Sequence, residues 1–86
     1  MTTIDRACAF LESTAQLLRE KNDAYGDSAA NPVRIFSKAD PITGVLVRID
    51  DKLSRISRGT AAGEDVIKDL VGYLAILWAM QTETKP

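Results

Sequence analysis

The sequence has no histidine and only one cysteine, Cys8. A disulfide within the chain is therefore excluded, and so is a zinc site of the usual Cys/His kind. Charge of a single sign is also missing: eleven basic and twelve acidic residues leave a net charge of −1. A protein that binds duplex DNA unaided normally carries a basic excess on one face, so direct DNA binding is not expected. No apolar run is long enough to cross a bilayer. The longest, "LVGYLAILWAM" from Leu70 to Met80, is about half of the ~20 residues that a spanning helix needs. The N-terminus, "MTTIDRACAF", lacks a basic segment followed by an apolar one, so no signal peptide is expected. These absences together predict a soluble, cytoplasmic protein with no membrane association.

What remains is one small domain spanning residues 1–86. A chain of this length buries only roughly 60–65% of its unfolded surface, so a lone core is marginal. With disulfides and zinc excluded, oligomerisation is the simplest remedy. A carboxylate-bound Mg²⁺ stays open, because hard cations need only oxygen ligands.

The periodicity predicts an all-α domain of three helices with a long first loop. The first helix is expected over about Ile4 to Asn22, with Thr3 as N-cap. Its apolar positions Ile4, Ala7, Cys8, Leu11, Ala15 and Leu18 recur at three and four, and Phe10, Thr14 and Leu17 widen the stripe. On that face Cys8 reads as a packing residue. Some twenty residues follow with Gly26, Pro32, Pro41 and Gly44 and no long period. A connector this long in so small a domain is usually functional or mobile, and Ile35 and Phe36 are its expected anchors. The second helix is expected from Thr43 or Gly44 to Arg58, stopped by Gly59. The third runs from about Gly63 to Thr82. Beyond Asp69 it is apolar on nearly every side, which two short neighbours cannot cover. Tyr73 and Trp78 therefore read as core or interface, and association as a dimer or tetramer is expected through this helix.

Three charged clusters could carry chemistry. On the second helix Arg48, Asp51, Lys52 and Arg55 stand at i, i+3, i+4 and i+7, hence on one face. Arg could grip phosphate bidentately and Lys as a point charge; the same residues could instead form a solvated face of ion pairs. Glu64, Asp65 and Asp69 open the third helix. Asp65 and Asp69, four apart, could hold Mg²⁺, with Asp51 as a further candidate ligand. Alternatively Asp69 could bridge to Arg48, Lys52 or Arg55. The third cluster, Lys21, Tyr25, Asp27 and Ser28, closes the first helix. Tyr25 could stack on a base, while Asp27 and Ser28 are also ordinary turn residues.

Taken together, "KNDAYGDS", "VRIDDKLSRI" and "GEDVIKDLVGYLAIL" resemble the nucleotide-modification-associated domain family of phage and bacterial proteins, formerly a domain of unknown function. That family has a K-x-x-x-Y-G-x-S segment, an R-x-x-x-K-x-x-R-[IL] helix and a D-x-x-x-D-L-x-x-Y helix. These fall here on Lys21, Tyr25, Gly26 and Ser28; on Arg48, Lys52, Arg55 and Ile56; and on Asp65, Asp69, Leu70 and Tyr73. The family is in turn similar to MazG-type all-α nucleoside triphosphate pyrophosphohydrolases, which hold Mg²⁺ on E-E-x-x-E and E-x-x-[DE] helices. This chain keeps the final acid as Asp69, has Val66 three residues before it, and places Arg48, Lys52 and Arg55 where a metal cage wants carboxylates.

The resemblance implies a small phage-type nucleotide-binding protein of MazG-like architecture that hydrolyses or sequesters nucleotides. In it Lys21, Tyr25, Asp27, Arg48, Lys52 and Arg55 would contact the ligand, and Asp65, Asp69 and Asp51 would serve a Mg²⁺ ion. The competing expectation is a non-catalytic helical protein that binds a host protein through its apolar third helix.

Overall fold

In the computed structural model, residues 1–25, 40–59 and 65–83 are described, with the side chains of Ala24 and Tyr25 excepted. They form three helices: α1 (Thr3–Tyr25), α2 (Pro41–Arg58) and α3 (Val66–Glu83). No strand occurs among the described residues, so the chain is all-α as expected. No described helix is long and apolar enough to cross a membrane. The expectations for Gly26, Asp27, Ser28, Ile35, Phe36 and Glu64, and for the side chain of Tyr25, lie outside the described residues.

Each helix starts where a side chain can satisfy its free N–H groups. At α1 that residue is Thr2, one position before the expected Thr3. The Thr2 hydroxyl accepts from the Asp5 N–H and the Asp5 carboxylate accepts from the Thr2 N–H, both at 3.0 Å. This reciprocal box needs an acceptor three residues on. Thr2 has Asp5 there, whereas Thr3 has Arg6. The helix also continues past Asn22 to Tyr25, immediately before Gly26. At α2 the start moves back to Pro41. Asp40, in extended conformation, accepts from the Thr43 N–H at 3.0 Å and from its hydroxyl at 2.8 Å. Pro41 occupies the first turn, where its missing N–H costs nothing, so Ile42 joins the helix and packs on the core. At α3 the expected start at Gly63 shifts to Val66, because Asp65 is the cap and accepts from the Lys68 N–H at 3.0 Å. The stop at Gly59 is as expected: its φ is 69° and its N–H donates to the carbonyls of Arg55 and Ile56.

α2 and α3 form an antiparallel hairpin. Lys52 lies against Asp69, and Arg48, one turn earlier on α2, lies against Tyr73, one turn later on α3. Between them Val45, Ile49 and Met80 are buried, with Ile42, Leu70, Tyr73, Ile76 and Leu77 packed around. α1 packs on a different side of α3 and does not approach α2 among the described residues. There Leu18 meets Gly72: a Cβ at Gly72 would lie 3.4 Å from Leu18 Cδ2. The Lys68 ammonium stands 5.5 Å over the Phe10 ring. Thr14 is buried and donates its hydroxyl to the Phe10 carbonyl at 2.8 Å.

Two packing expectations are corrected. The apolar stripe of α1 is covered only in its second half: Ile4, Ala7, Cys8 and Leu11 are exposed. Phe10 is already level with Lys68 in the first turn of α3, so the turns before it have no described helix to pack on, and Cys8 is not a packing residue within this chain. Of the two residues expected in a core or an interface, Tyr73 packs on the core, whereas Trp78 is 68% exposed in the single chain.

Candidate functional site: the polar flank of the α2–α3 seam

The four charged residues of α2 share one side of the helix, as their spacing requires, but they do not act as one row. Lys52 turns inward. Its Nζ lies 3.5 Å from Asp69 Oδ2, with the two side chains 15% and 29% exposed. The core residue Ile49 is its neighbour one turn back, so its methylene stem runs along apolar surface while the ammonium reaches the carboxylate. Arg48 is exposed, and its guanidinium stands 6.0 Å over the Tyr73 ring. This is the outer limit of a cation–π contact. Arg55 Nε donates to Asp51 Oδ2 at 3.1 Å on the outer side of α2.

Arg48, Lys52, Asp69 and Tyr73 are therefore adjacent along one edge of the hairpin, two from each helix. Arg48 and Lys52 come from the charged cluster on the second helix, Asp69 from the cluster that opens the third, and Tyr73 from the apolar run that follows it. The seam joins them because an antiparallel pair brings matching turns together: four residues back on α2 corresponds to four residues forward on α3.

The three carboxylates expected to serve Mg²⁺ each have another partner. Asp65 is exposed and its Oδ1 caps α3. Asp69 is one turn into the helix and engaged with Lys52. Asp51 is held by Arg55. Among the described residues no three acidic or cysteine side chains converge as a metal site would require, so these residues do not by themselves fit a Mg²⁺ cage. The alternative bridge from Asp69 to the basic row is present, with Lys52 as the partner. From the cluster that closes the first helix, Lys21 is exposed near the end of α1, and Tyr25 is the last residue of that helix.

Among the described residues two carboxylates have lowered pKa values, and neither belongs to the seam. Asp5 and Asp40 lie below the ordinary 3.8, held there first by the backbone N–H bonds of Thr2 and Thr43 and then by the side-chain bonds to the same residues. A carboxylate that accepts an N–H favours its charged form, so both shifts report helix caps.

Periodicity could not reveal the contact of Arg48 with Tyr73. It depends on how far α2 slides along α3, which no period within a single helix encodes. The cap at Asp40 was visible in D-P-x-T, an Asp three residues before a Thr with Pro at the first helical position. No family model, curated protein or solved structure matches the chain.

Proposed function

We propose that the chain binds nucleoside phosphates on the polar flank of the α2–α3 seam, as a small phage-type protein of MazG-like architecture that works as a homo-oligomer. The observation that supports this is the adjacency of Arg48, Lys52, Asp69 and Tyr73. An exposed guanidinium suited to bidentate phosphate binding stands next to a second cation on a partly covered surface. Lys21 and Tyr25 close the neighbouring helix α1, and with Asp27 they complete the ligand set that the family resemblance implies. The role is holding or sequestering a nucleotide. Hydrolysis would need a cluster of carboxylates, and Asp51, Asp65 and Asp69 each already have a separate partner.

The test is a thermal-shift screen against nucleoside mono-, di- and triphosphates and cyclic nucleotides, with and without Mg²⁺. A ligand at about a hundred times its Kd stabilises the native state by about 2.7 kcal/mol. The shift should be lost in Arg48→Ala. No shift with any nucleotide overturns the proposal, and product analysis of a binding nucleotide separates holding from turnover.

One observation favours a second reading, a non-catalytic protein that binds a host protein: Ile67, Leu74 and Trp78 leave an apolar side of α3 uncovered. A purified chain that stays monomeric with this side open would favour it. A stable homo-oligomer that buries Trp78 would count against it.

A further inference from the structure

Three glycines fall among the described residues, and the fold accounts for two of them. Gly59 stands at φ 69°, in the left-handed region, and a Cβ at Gly72 would lie 3.4 Å from Leu18 Cδ2. Gly44 differs from both. It lies one turn into α2 without a positive φ, and a Cβ there would meet nothing within 4 Å among the described residues. Glycine is a poor helix residue, and here neither the backbone nor a described neighbour requires one.

The empty space borders the seam. Gly44 is four residues before Arg48, so it stands one turn further along the same flank of α2. Lys52 is level with Asp69 and Arg48 with Tyr73, which places Ile76 and Leu77 level with Gly44. On α3, Asp69 and Ile76 are seven apart and share a line. At about 100° per residue that line falls between Tyr73, which packs toward α2, and Lys68 and Gly72, which meet α1. α1 and α2 do not approach each other among the described residues, so the line is the floor of a groove between them. The groove changes character along its length. At one turn Lys52 faces Asp69, and at the next Arg48 stands over Tyr73. At the third come the bare backbone of Gly44 and the half-buried aliphatic side chain of Ile76.

We propose that this third turn is a shelf for the nucleoside part of the ligand, with the phosphate against Arg48 and Lys52 and the ribose and base over Gly44 beside Ile76. The proposal rests on the nucleotide reading above. It adds where the uncharged end of the ligand sits and which residue makes room for it. A nucleotide is an anion joined to a ring with an apolar face. A groove that passes from two cations to bare backbone and an aliphatic side chain within two turns matches that polarity end to end. Glycine at the shelf lets the ligand approach the helix backbone more closely than any side chain would, which gives Gly44 the reason that the fold does not.

The test fills the shelf. Gly44→Leu and Gly44→Ala add a side chain where nothing in the described fold stands, so both should keep or raise helical content. Calorimetric titration of the full chain compares nucleoside mono-, di- and triphosphates with phosphate, pyrophosphate and tripolyphosphate, the same anions without the nucleoside. The bare anions are read by their displacement of the nucleotide. In Gly44→Leu the nucleotide should bind at least about tenfold more weakly, while the bare anion binds as it does to the wild type. Gly44→Ala should fall between the two, and Arg48→Ala should weaken nucleotide and bare anion alike. Nucleotide binding that Arg48→Ala weakens and Gly44→Leu leaves unchanged keeps the phosphate site and overturns the shelf. An equal loss of nucleotide and bare anion in Gly44→Leu also overturns it, because the new side chain then reaches the phosphate position itself. If no nucleotide, cyclic ones included, binds the wild type, the nucleotide reading fails and the shelf with it. If Gly44→Leu unfolds, the same comparison in Gly44→Ala decides.

Discussion

Removing the carboxylate of Asp69 tests whether the hairpin seam is held as described. Lys52 Nζ and Asp69 Oδ2 are 3.5 Å apart on side chains 15% and 29% exposed. A fully exposed pair contributes about 0–1 kcal/mol, and breaking a fully buried one costs about 3–5 kcal/mol. This pair lies between those limits and nearer the first, because Asp69 retains access to water and Lys52 can extend toward it. Asp69→Asn should therefore cost about 1–2 kcal/mol. The side chain left behind is the more buried of the two, an ammonium beside Ile49 without its counter-ion. Lys52→Met should cost less, about 0–1 kcal/mol, since the thioether adds to apolar contacts and the orphaned carboxylate can hydrate. The assay is urea unfolding followed by far-UV circular dichroism at one fixed protein concentration, so that any association contributes equally to each variant. In a thermal scan each kcal/mol corresponds to about 4–8 °C in a domain of this size. Asp69→Asn indistinguishable from wild type, or Lys52→Met the more damaging of the two, would refute the reasoning that the buried ammonium depends on this partner.

Three further outcomes follow from single contacts. Gly72→Ala should stabilise by about 0.5 kcal/mol in urea titration, because a mid-helix glycine costs about 0.8–1 kcal/mol relative to alanine and the new Cβ meets only the movable Leu18 Cδ2 at 3.4 Å. Gly59→Ala should destabilise by about 1 kcal/mol in the same titration, since φ there is 69° and an L side chain is strained in that region. Asp40 and Asp5 have pKa values depressed below 3.8 in the folded chain, so their capping contribution is present above that value and is lost as pH falls through the folded pKa. Asp40→Asn, which keeps a neutral cap, should flatten part of the fall in melting temperature between about pH 5 and about pH 2, and an unchanged acid limb would show that the cap is not formed.

How much of this was legible in the sequence differs from helix to helix. α2 is amphipathic, with Val45, Ile49, Lys52 and Ile56 on one line and Gly59 after it, so its existence, buried face and end follow from spacing. Its start follows not from spacing but from the D-P-x-T cap signal, in which Asp40 accepts from Thr43 and Pro41 takes the first turn. α1 shows the opposite weakness. The period of Ile4, Ala7, Leu11, Thr14 and Leu18 is unbroken, yet α3 covers only the second half, and period says nothing about where a neighbour ends. In α3 apolar residues on every side carry no phase, so the division into an α2 side, an α1 side and an open side had to come from the packing. Among the charged residues, spacing put Arg48, Asp51, Lys52 and Arg55 together. It could not say that Lys52 turns in to Asp69 while Arg55 turns out to Asp51, because that choice is made by a second helix. Asp65 and Asp69 stand at i, i+4, but spacing does not say that a carboxylate at a helix start is drawn to the free N–H groups there, as Asp65 Oδ1 is to the Lys68 N–H.

The same ion pair makes an opposite prediction for ligand binding. A phosphate arriving at Arg48 and Lys52 brings negative charge to within a few ångströms of Asp69, which already neutralises Lys52 at 3.5 Å. In the absence of added metal Asp69 can only oppose that anion, because its charge has the same sign and its cation is the one the ligand would use. If the proposed function holds, the seam is a held-back anion site: Asp69 stabilises it when empty by pairing with Lys52 and weakens it for phosphate for the same reason. Asp69→Asn should destabilise the fold and yet bind a nucleoside phosphate more tightly, by about three- to tenfold in low salt, the equivalent of about 0.7–1.4 kcal/mol of relieved repulsion on a partly solvated surface. Lys52→Met should bind it more weakly, and raising the salt should shrink both differences as screening sets in. Calorimetric titration in EDTA of each variant, at a temperature where all are folded, reads the sign directly. Weaker binding by Asp69→Asn under those conditions would mean that Asp69 contacts the nucleotide itself through a donor such as a ribose hydroxyl, and the picture of a carboxylate standing in the place of phosphate would have to be abandoned.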